Sequence, residues 1–138
     1  MKHISLILLM TVGIAGPFAA QLGAQSNAAA TDIPFDFIVS KHTLPAGRYE
    51  VQQWPGNASL FALRDHRGHG IFVQLANNER GNSDQPSVTF ACYGKDCVLA
   101  KITPPHSDTA YGLSRNSIEK NLHHTLGMSS MVSIKLGR

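Results

Sequence analysis

Charged residues are scarce in this sequence, and so are the patterns that commonly mark catalysis. Of 138 residues, 15% are charged and nine are acidic, where soluble proteins average about a quarter charged. The scattered acids do not mark a glycosidase pair, and there is no Gly-x-Ser-x-Gly elbow, no His-Glu-x-x-His segment and no phosphate-binding loop. The length and the lack of a tandem repeat exclude a multidomain enzyme, a solenoid and a propeller. We therefore expect a single-domain protein that is not an enzyme and has no cofactor.

The N-terminus has the pattern of a secretory signal peptide. Lys2 precedes an apolar run at residues 4–16, which is shorter than a membrane-spanning helix, and small residues follow it. We place the cleavage after Ala24, with Ala20 and Ala30 as alternative sites. An uncleaved membrane anchor is the competing interpretation.

Removal of residues 1–24 would leave a nearly neutral protein. This segment contains one lysine and no acid, so eleven Lys and Arg residues would remain against nine acids, scattered along the chain. No nucleic-acid partner is therefore predicted. Residues 25–31 are small and polar and predict a flexible leader, followed by a single β-rich domain over residues 32–138. The signal peptide predicts a periplasmic or extracellular location.

Much of the mature chain alternates apolar and polar residues with the two-residue period of half-buried strands. Residues 33–39 are the first such segment, and Pro34 places its start at a sheet edge. A Pro-Gly turn at residues 44–47 leads into a strand at residues 48–54. Two more strand segments follow before a long polar loop: residues 59–64, residues 71–76 and the loop at residues 77–86. The pattern predicts a mainly β fold, an antiparallel β-sandwich or small barrel of about seven short strands with one C-terminal helix.

A hairpin closed by a disulfide is predicted in the middle of the domain. Gly94 fits the first central position of a type II′ two-residue turn, which requires glycine there. In that register Tyr93 pairs with Asp96, and Cys92 faces Cys97 at a non-hydrogen-bonded position that a disulfide can bridge. We expect this bond in an exported protein with no other cysteine. A redox-active dithiol is the alternative, but the spacing is not Cys-x-x-Cys and no helix N-terminus is predicted beside it.

A helix and a last strand are predicted near the C-terminus. Asn116 with Glu119 three residues later is typical of a helix N-terminus, and Gly127 supplies the end. The apolar residues of this helix recur every four positions: Ile118, Leu122 and Leu126. Residues 131–136 alternate again and predict a final strand.

The order of these segments resembles a family of small exported bacterial β-domain proteins that carry no functional name. A signal peptide is followed by IPFDFIV at residues 33–39, LPAGRYEV at residues 44–51 and FACYG at residues 90–94. The motif order IPFDF, LPAGxYxV and YG is more specific than any one motif, because LPAGxYxV turns recur in unrelated β-sandwiches. The resemblance covers roughly residues 31–125 and implies an exported β-domain with no established activity or catalytic residue. Both cysteines and the last strand depart from the family pattern and are predicted from local sequence alone.

The nearest approach to a metal site is the pair His66 and His69 beside Asp65. Two imidazoles hold a metal ion firmly only with a third ligand, for which His42 or His106 would have to fold nearby. The four-ligand zinc signatures are absent, so a solvated turn is the favoured interpretation and no metal site is predicted. A small metal-dependent hydrolase built on this turn is the alternative function.

The single tryptophan is the candidate for a ligand-stacking contact. Trp54 stands at a strand end before Pro55, where exposure is expected, and could stack on a sugar or another envelope polymer. Tyr49 lies on the opposite face of the same strand by parity. Phe61 and Tyr93 are the other aromatic residues that such a surface could use, although aromatic residues in strands more often lie in the core.

The predicted function is that of an exported, non-catalytic binding or structural module of the cell envelope or exterior. The partner is unknown; an envelope polymer or an envelope protein would suit a sheet face. A self-assembling envelope protein, paired through the edge at residues 33–39, is a further alternative.

Overall fold

The computed structural model describes residues 28–137, which form eleven strands and one helix. The first six strands are β1 (Ala28–Ile33), β2 (Phe37–Val39), β3 (His42–Leu44), β4 (Gly47–Gln53), β5 (Leu60–Asp65) and β6 (Gly70–Gln74). The remaining elements are β7 (Asn77–Arg80), β8 (Ser87–Tyr93), β9 (Asp96–Thr103), β10 (Thr109–Gly112), α1 (Ser117–Leu126) and β11 (Ser130–Lys135). The predicted mainly β class with one helix near the C-terminus is confirmed. The strands outnumber the expected seven because several span only three or four residues.

The strands form the two sheets of a β-sandwich. The first sheet has the order β1-β4-β5-β6, and the second has the order β11-β8-β9-β10-β7, with β2 and β3 attached through β9. All pairings are antiparallel except that of β2 with β9. The sheets join where Ala30 and Gly137 exchange backbone hydrogen bonds with N···O distances of 2.9 and 2.8 Å. At the opposite edges of the two sheets, the chain passes directly from β6 of the first sheet to β7 of the second.

The core consists of the inward-facing side chains of both sheets. On β4, Tyr49 and Val51 are buried whereas Arg48 is exposed, which is the predicted two-residue alternation. Phe37 packs edge-to-face on Phe90 of the second sheet and on Tyr49 of the first, with ring centroids 5.3 and 5.2 Å apart. These rings connect the two sheets through the centre of the molecule.

The predicted hairpin and its disulfide are confirmed. Strands β8 and β9 pair Tyr93 with Asp96 and Cys92 with Cys97. Gly94 has a φ of 63°, a left-handed conformation that favours glycine at this turn position. The two cysteines are bonded, with Cα atoms 4.0 Å apart, and their side chains belong to the core.

The helix begins where the sequence predicts. The Oδ1 atom of Asn116 accepts the N–H of Glu119 at 2.8 Å, and its Nδ2 atom donates to the C=O of Ser40 at 2.6 Å. The Glu119 carboxylate is turned towards the sheet, where it accepts the Tyr93 hydroxyl at 3.2 Å. The apolar face of the helix is only partly buried against the sheet, and Leu126 remains 53% exposed. The helix therefore lies on the outer face of the second sheet, held by polar contacts at its first turns.

The predicted flexible leader is wrong for residues 28–31. These residues form most of β1 and pair with β4, where Ala29 faces Val51 and Thr31 faces Tyr49. Ala29 and Thr31 are buried, and the Thr31 hydroxyl donates to the Lys135 C=O at 2.8 Å. Small residues with low strand propensity adopt this conformation because β4 and the last residues of the domain pair with them.

Two predictions about strand positions are also corrected. The polar loop predicted at residues 77–86 contains β7, which pairs with β10 although all four of its side chains are exposed. Residues 33–39 are not one edge strand, because β1 ends at Ile33 and β2 lies between β3 and β9. The predicted final strand is confirmed as β11, which pairs with β8.

No helix within residues 28–137 is long and apolar enough to cross a membrane. The predicted signal peptide, with cleavage sites at Ala20 and Ala24, lies outside the described residues. The third cleavage site, after Ala30, falls within β1.

Candidate functional site

Two large aromatic side chains stand exposed together on the outer face of the first sheet. Trp54 is 42% exposed and Phe72 is 61% exposed. Their ring centroids are 5.3 Å apart with an interplanar angle of 83°, an edge-to-face arrangement. We call these two rings the aromatic ridge.

The turn after β4 fixes the position of Trp54. Its N–H donates to the C=O of Leu60 at 2.7 Å, and its C=O accepts the N–H of Asn57 at 3.2 Å. Pro55 and Gly56 occupy the two central positions between these bonds, and Gly56 has a φ of 81°. This is the arrangement of a type II turn, for which proline followed by glycine is the favoured pair. Both backbone polar groups of Trp54 are therefore bonded, and the indole projects from a defined backbone.

Phe72 is placed by the register of the first sheet. It pairs with Ala62 of β5, which pairs in turn with Gln52 of β4, so these three residues form one row on the outer face. Val73, next to Phe72, is buried on the inner face. Ala62, the backbone partner of Phe72, is 3% exposed although it faces outward. The aromatic ridge thus spans β5, from the end of β4 to the edge strand β6.

Neutral polar side chains flank the aromatic ridge. Gln52 lies in the Phe72 row, and Gln74 lies in the neighbouring row opposite Leu60. Each amide provides two donors and an acceptor, and neither of these two rows contains a charged residue. Aromatic rings with a few neutral hydrogen-bonding groups suit an uncharged ligand with both apolar and hydroxyl surfaces.

The sequence indicates one half of this site and misses the other. The expected exposure of Trp54 is confirmed, and Tyr49, Phe61 and Tyr93 are buried in accordance with the more common role of aromatic residues in strands. Phe72 was not predicted as a site residue. Its signal is parity, since inward-facing Ile71 and Val73 on either side force Phe72 outward.

The turn that carries His66 and His69 is organised by Asp65. One Asp65 oxygen accepts the N–H groups of Arg67 and His69, each at 2.9 Å, and the other lies 3.6 Å from Nδ1 of His69. Desolvation acts to raise the pKa of Asp65, but these backbone donors and the nearby histidines lower it overall. Among residues 28–137, no three His, Cys, Asp or Glu side chains are grouped to hold a metal ion.

The same finding applies to the two histidines considered as a third metal ligand. Neither His42 nor His106 is brought to the turn of His66 and His69 as the third ligand of a metal group. The carboxylate that could have served as a ligand instead bonds the backbone of its own turn. Within the described part of the chain, the metal-dependent hydrolase has no ligand set.

A second group of exposed apolar side chains lies around the end of α1. It comprises Leu126, Met128 and Met131, of which Met128 is 93% exposed. None of these side chains is aromatic. They offer matched controls for the aromatic ridge.

Comparisons with protein-family models, curated proteins and solved structures found no match for this chain. The resemblance to the exported β-domain family stays a prediction.

Proposed function

We propose that this protein is an exported, non-catalytic binding module that attaches to an uncharged polymer of the cell envelope, such as a polysaccharide, through the aromatic ridge. The observation that carries the proposal is the exposed pair Trp54 and Phe72 on the outer face of the first sheet. Ring faces and edges contact the apolar C–H surfaces of sugar rings, and the flanking amides of Gln52 and Gln74 bond their hydroxyl groups.

Packing within the domain does not explain the aromatic ridge. The core between the sheets is filled by other side chains, and both rings point away from it. Large aromatic side chains that remain in water lose the stabilisation that burial would provide, about 1.5–3 kcal/mol for each. Tryptophan is also among the residues most enriched at binding hot spots. A ligand that covers both rings would recover that free energy.

The aromatic ridge is preorganised for binding. Both backbone groups of Trp54 are hydrogen-bonded, and Phe72 projects from a strand paired with β5. Little conformational entropy remains to be lost when a ligand binds to such a surface. Rigid presentation favours an extended, repetitive ligand over one that requires an enclosing pocket.

Export is part of the proposal and rests on the signal-peptide pattern at residues 1–24. The Cys92–Cys97 disulfide is compatible with an oxidising compartment outside the cytoplasm. The nearly neutral mature chain favours an uncharged partner over an anionic polymer.

The test uses the fact that the protein contains one tryptophan. The fluorescence of this tryptophan reports on the aromatic ridge, so titration with soluble oligosaccharides should shift the tryptophan emission. Co-sedimentation with the neutral polymers cellulose and chitin should identify the polymer, and peptidoglycan, whose peptides are charged, tests the preference for an uncharged one. We expect Trp54→Ala and Phe72→Ala each to weaken binding by about 10-fold or more, the equivalent of losing one buried aromatic contact.

The matched controls are Met128→Ala and Met131→Ala, which remove exposed apolar side chains from the turn after α1 and from β11. These variants should bind the polymer as the wild type does. Equal binding by the Trp54 variant and the Met128 variant would refute the proposal, as would the absence of binding to every neutral polymer tested.

A further inference from the structure

Strand β6 is an edge strand with a free row of backbone groups. It pairs with β5 on one side. The bond from the Asp65 N–H to the His69 C=O shows that the odd-numbered residues of this strand face β5, because hydrogen-bonded pairs alternate along an antiparallel ladder. The N–H and C=O groups of Gly70, Phe72 and Gln74 therefore point away from β5. Within residues 28–137 none of these groups has a backbone partner.

This strand lacks the features that protect sheet edges from pairing. Edges are commonly blunted by charged side chains, proline, very short length or a covering segment. The β6 sequence, Gly-Ile-Phe-Val-Gln, has no charge and no proline.

The other sheet edges carry such protection. Strand β3 spans three residues, and β7 includes Glu79 and Arg80. In the first sheet, β1 is bonded to Gly137 through Ala30. Strand β11, the outer strand of the second sheet, includes Lys135. Among the edge strands of the described residues, β6 is thus the one longer than three residues that has neither a charged side chain nor a backbone bond to the other sheet.

We propose that β6 pairs with β6 of a second copy of this chain, antiparallel about a two-fold axis at Phe72. In this register Phe72 faces the partner's Phe72, and Gly70 faces the partner's Gln74. All three positions with outward backbone groups then become hydrogen-bonded pairs, so six hydrogen bonds form across the axis. The two first sheets merge into one sheet of eight strands.

A second copy suits this edge for two reasons. The strand is uncharged and the mature chain is nearly neutral, so two copies approach without strong repulsion. The register also sets the long Gln74 side chain opposite glycine and brings two Phe72 rings together on one face, where aromatic cross-strand pairs are favourable. The aromatic ridges of the two copies then become one continuous row of four rings.

The expected association is weak and concentration-dependent. A pair of five-residue strands belongs to the small end of protein interfaces, which supports transient contacts. We expect the mature protein to change from monomer to dimer between micromolar and millimolar concentration in sedimentation equilibrium. A wild-type protein that stays monomeric throughout this range would overturn the proposal.

A proline substitution tests the strand pairing directly. The Gln74 N–H points away from β5, so Gln74→Pro removes a donor from the dimer without removing one from the β5 ladder. We expect this variant to weaken the dimer at least 10-fold, whereas the matched control Gln74→Ala should associate as the wild type does. Equal association of the two variants would overturn the proposal.

Hydrogen exchange in the wild type provides a measurement that does not depend on the variant's folding. The amides of Gly70, Phe72 and Gln74 should exchange more slowly as the protein concentration rises, while the exposed Met128 amide should not change. Concentration-independent exchange at all three positions would contradict the pairing.

Failure of this inference is separable from failure of the proposed function. Gln74→Pro and Gln74→Ala both lack the Gln74 amide and keep Trp54 and Phe72, so their monomers should bind a short oligosaccharide equally. Binding of Gln74→Pro to a long polymer should be weaker than that of Gln74→Ala by about 10-fold or more, because two linked ridges bind a repetitive ligand with higher avidity than one.

Discussion

Loss of the Cys92–Cys97 disulfide should destabilise the protein by a small and calculable amount. The bond closes a loop of six residues, since the cysteines are five positions apart. In the chain-entropy model, closing such a loop in the unfolded state contributes about 2 kcal/mol to the free energy of unfolding. The hairpin should survive without the bond, because the Gly94 turn and the pairing of β8 with β9 and β11 remain.

Two perturbations separate the cross-link from packing. Reduction of the wild type removes the cross-link and leaves both buried sulfur atoms in place, so it should cost about 2 kcal/mol. The double variant Cys92→Ala/Cys97→Ala also removes two sulfur atoms from the core. If a buried sulfur is worth about as much as a buried methylene, near 0.8 kcal/mol, the double variant should lose between about 3 and 4 kcal/mol.

Equilibrium urea unfolding measures both losses. With an m-value of about 2 kcal/mol/M, reduction should lower the unfolding midpoint by about 1 M, and the double variant by nearly 2 M. Alkylation after each titration verifies the redox state. The reasoning is refuted if the oxidised and reduced proteins share one midpoint, or if the reduced protein has no folded baseline.

Three other changes test separate parts of the fold. Phe90→Ala should lower the free energy of unfolding by about 3–5 kcal/mol, because this fully buried ring packs between the sheets. Replacement of the exposed Phe72 by alanine should lower it by less than about 1 kcal/mol. Urea titration of both variants checks the contrast. Asn116→Ala should lower the free energy of unfolding by about 1–2 kcal/mol and speed amide exchange in α1, since it removes the helix cap and the bond to Ser40. Asn116→Asp should restore the cap alone. Equal amide exchange in the wild type and both variants would contradict this account. The folded pKa of Asp65 lies below its ordinary value of 3.8, so its contribution to stability is present above that pH and is lost as the pH falls through the folded pKa. An NMR titration should find the low pKa, and Asp65→Asn should flatten the stability profile below pH 3.8; an Asp65 pKa at or above the ordinary value would contradict the turn geometry.

Features determined by neighbouring residues were predictable from the sequence. The hairpin register at Cys92 and Cys97 follows from a turn that requires Gly94, and the helix start follows from one side chain, Asn116, that bonds a nearby amide. The exposure of Trp54 follows from its place at the end of a strand before proline. Each of these predictions depends on interactions within about six residues.

Features determined by distant pairing were not predictable. Residues 28–31 resemble a leader because alanine and threonine have little apolar surface, yet β4 and Gly137 hold them as a strand. All four side chains of β7 are exposed, so its sequence contains no apolar alternation to detect. Parity places Phe72 outward, but its contact with Trp54 depends on the pairing of β4, β5 and β6. The aromatic ridge is thus a property of the sheet rather than of any one segment.

The exchange of hydrogen bonds between Ala30 and Gly137 has a consequence for how the domain can be attached to other structures. The first and last strands of the sandwich begin and finish side by side, so a short peptide linker could join them and new termini could be opened at an exposed turn. Such a circular permutant would keep every strand pairing. A tether at either end would also emerge beside β1, at the edge of the first sheet farthest from β6 in strand order. If either end of the domain were anchored to a surface, the β6 edge would therefore face away from that surface.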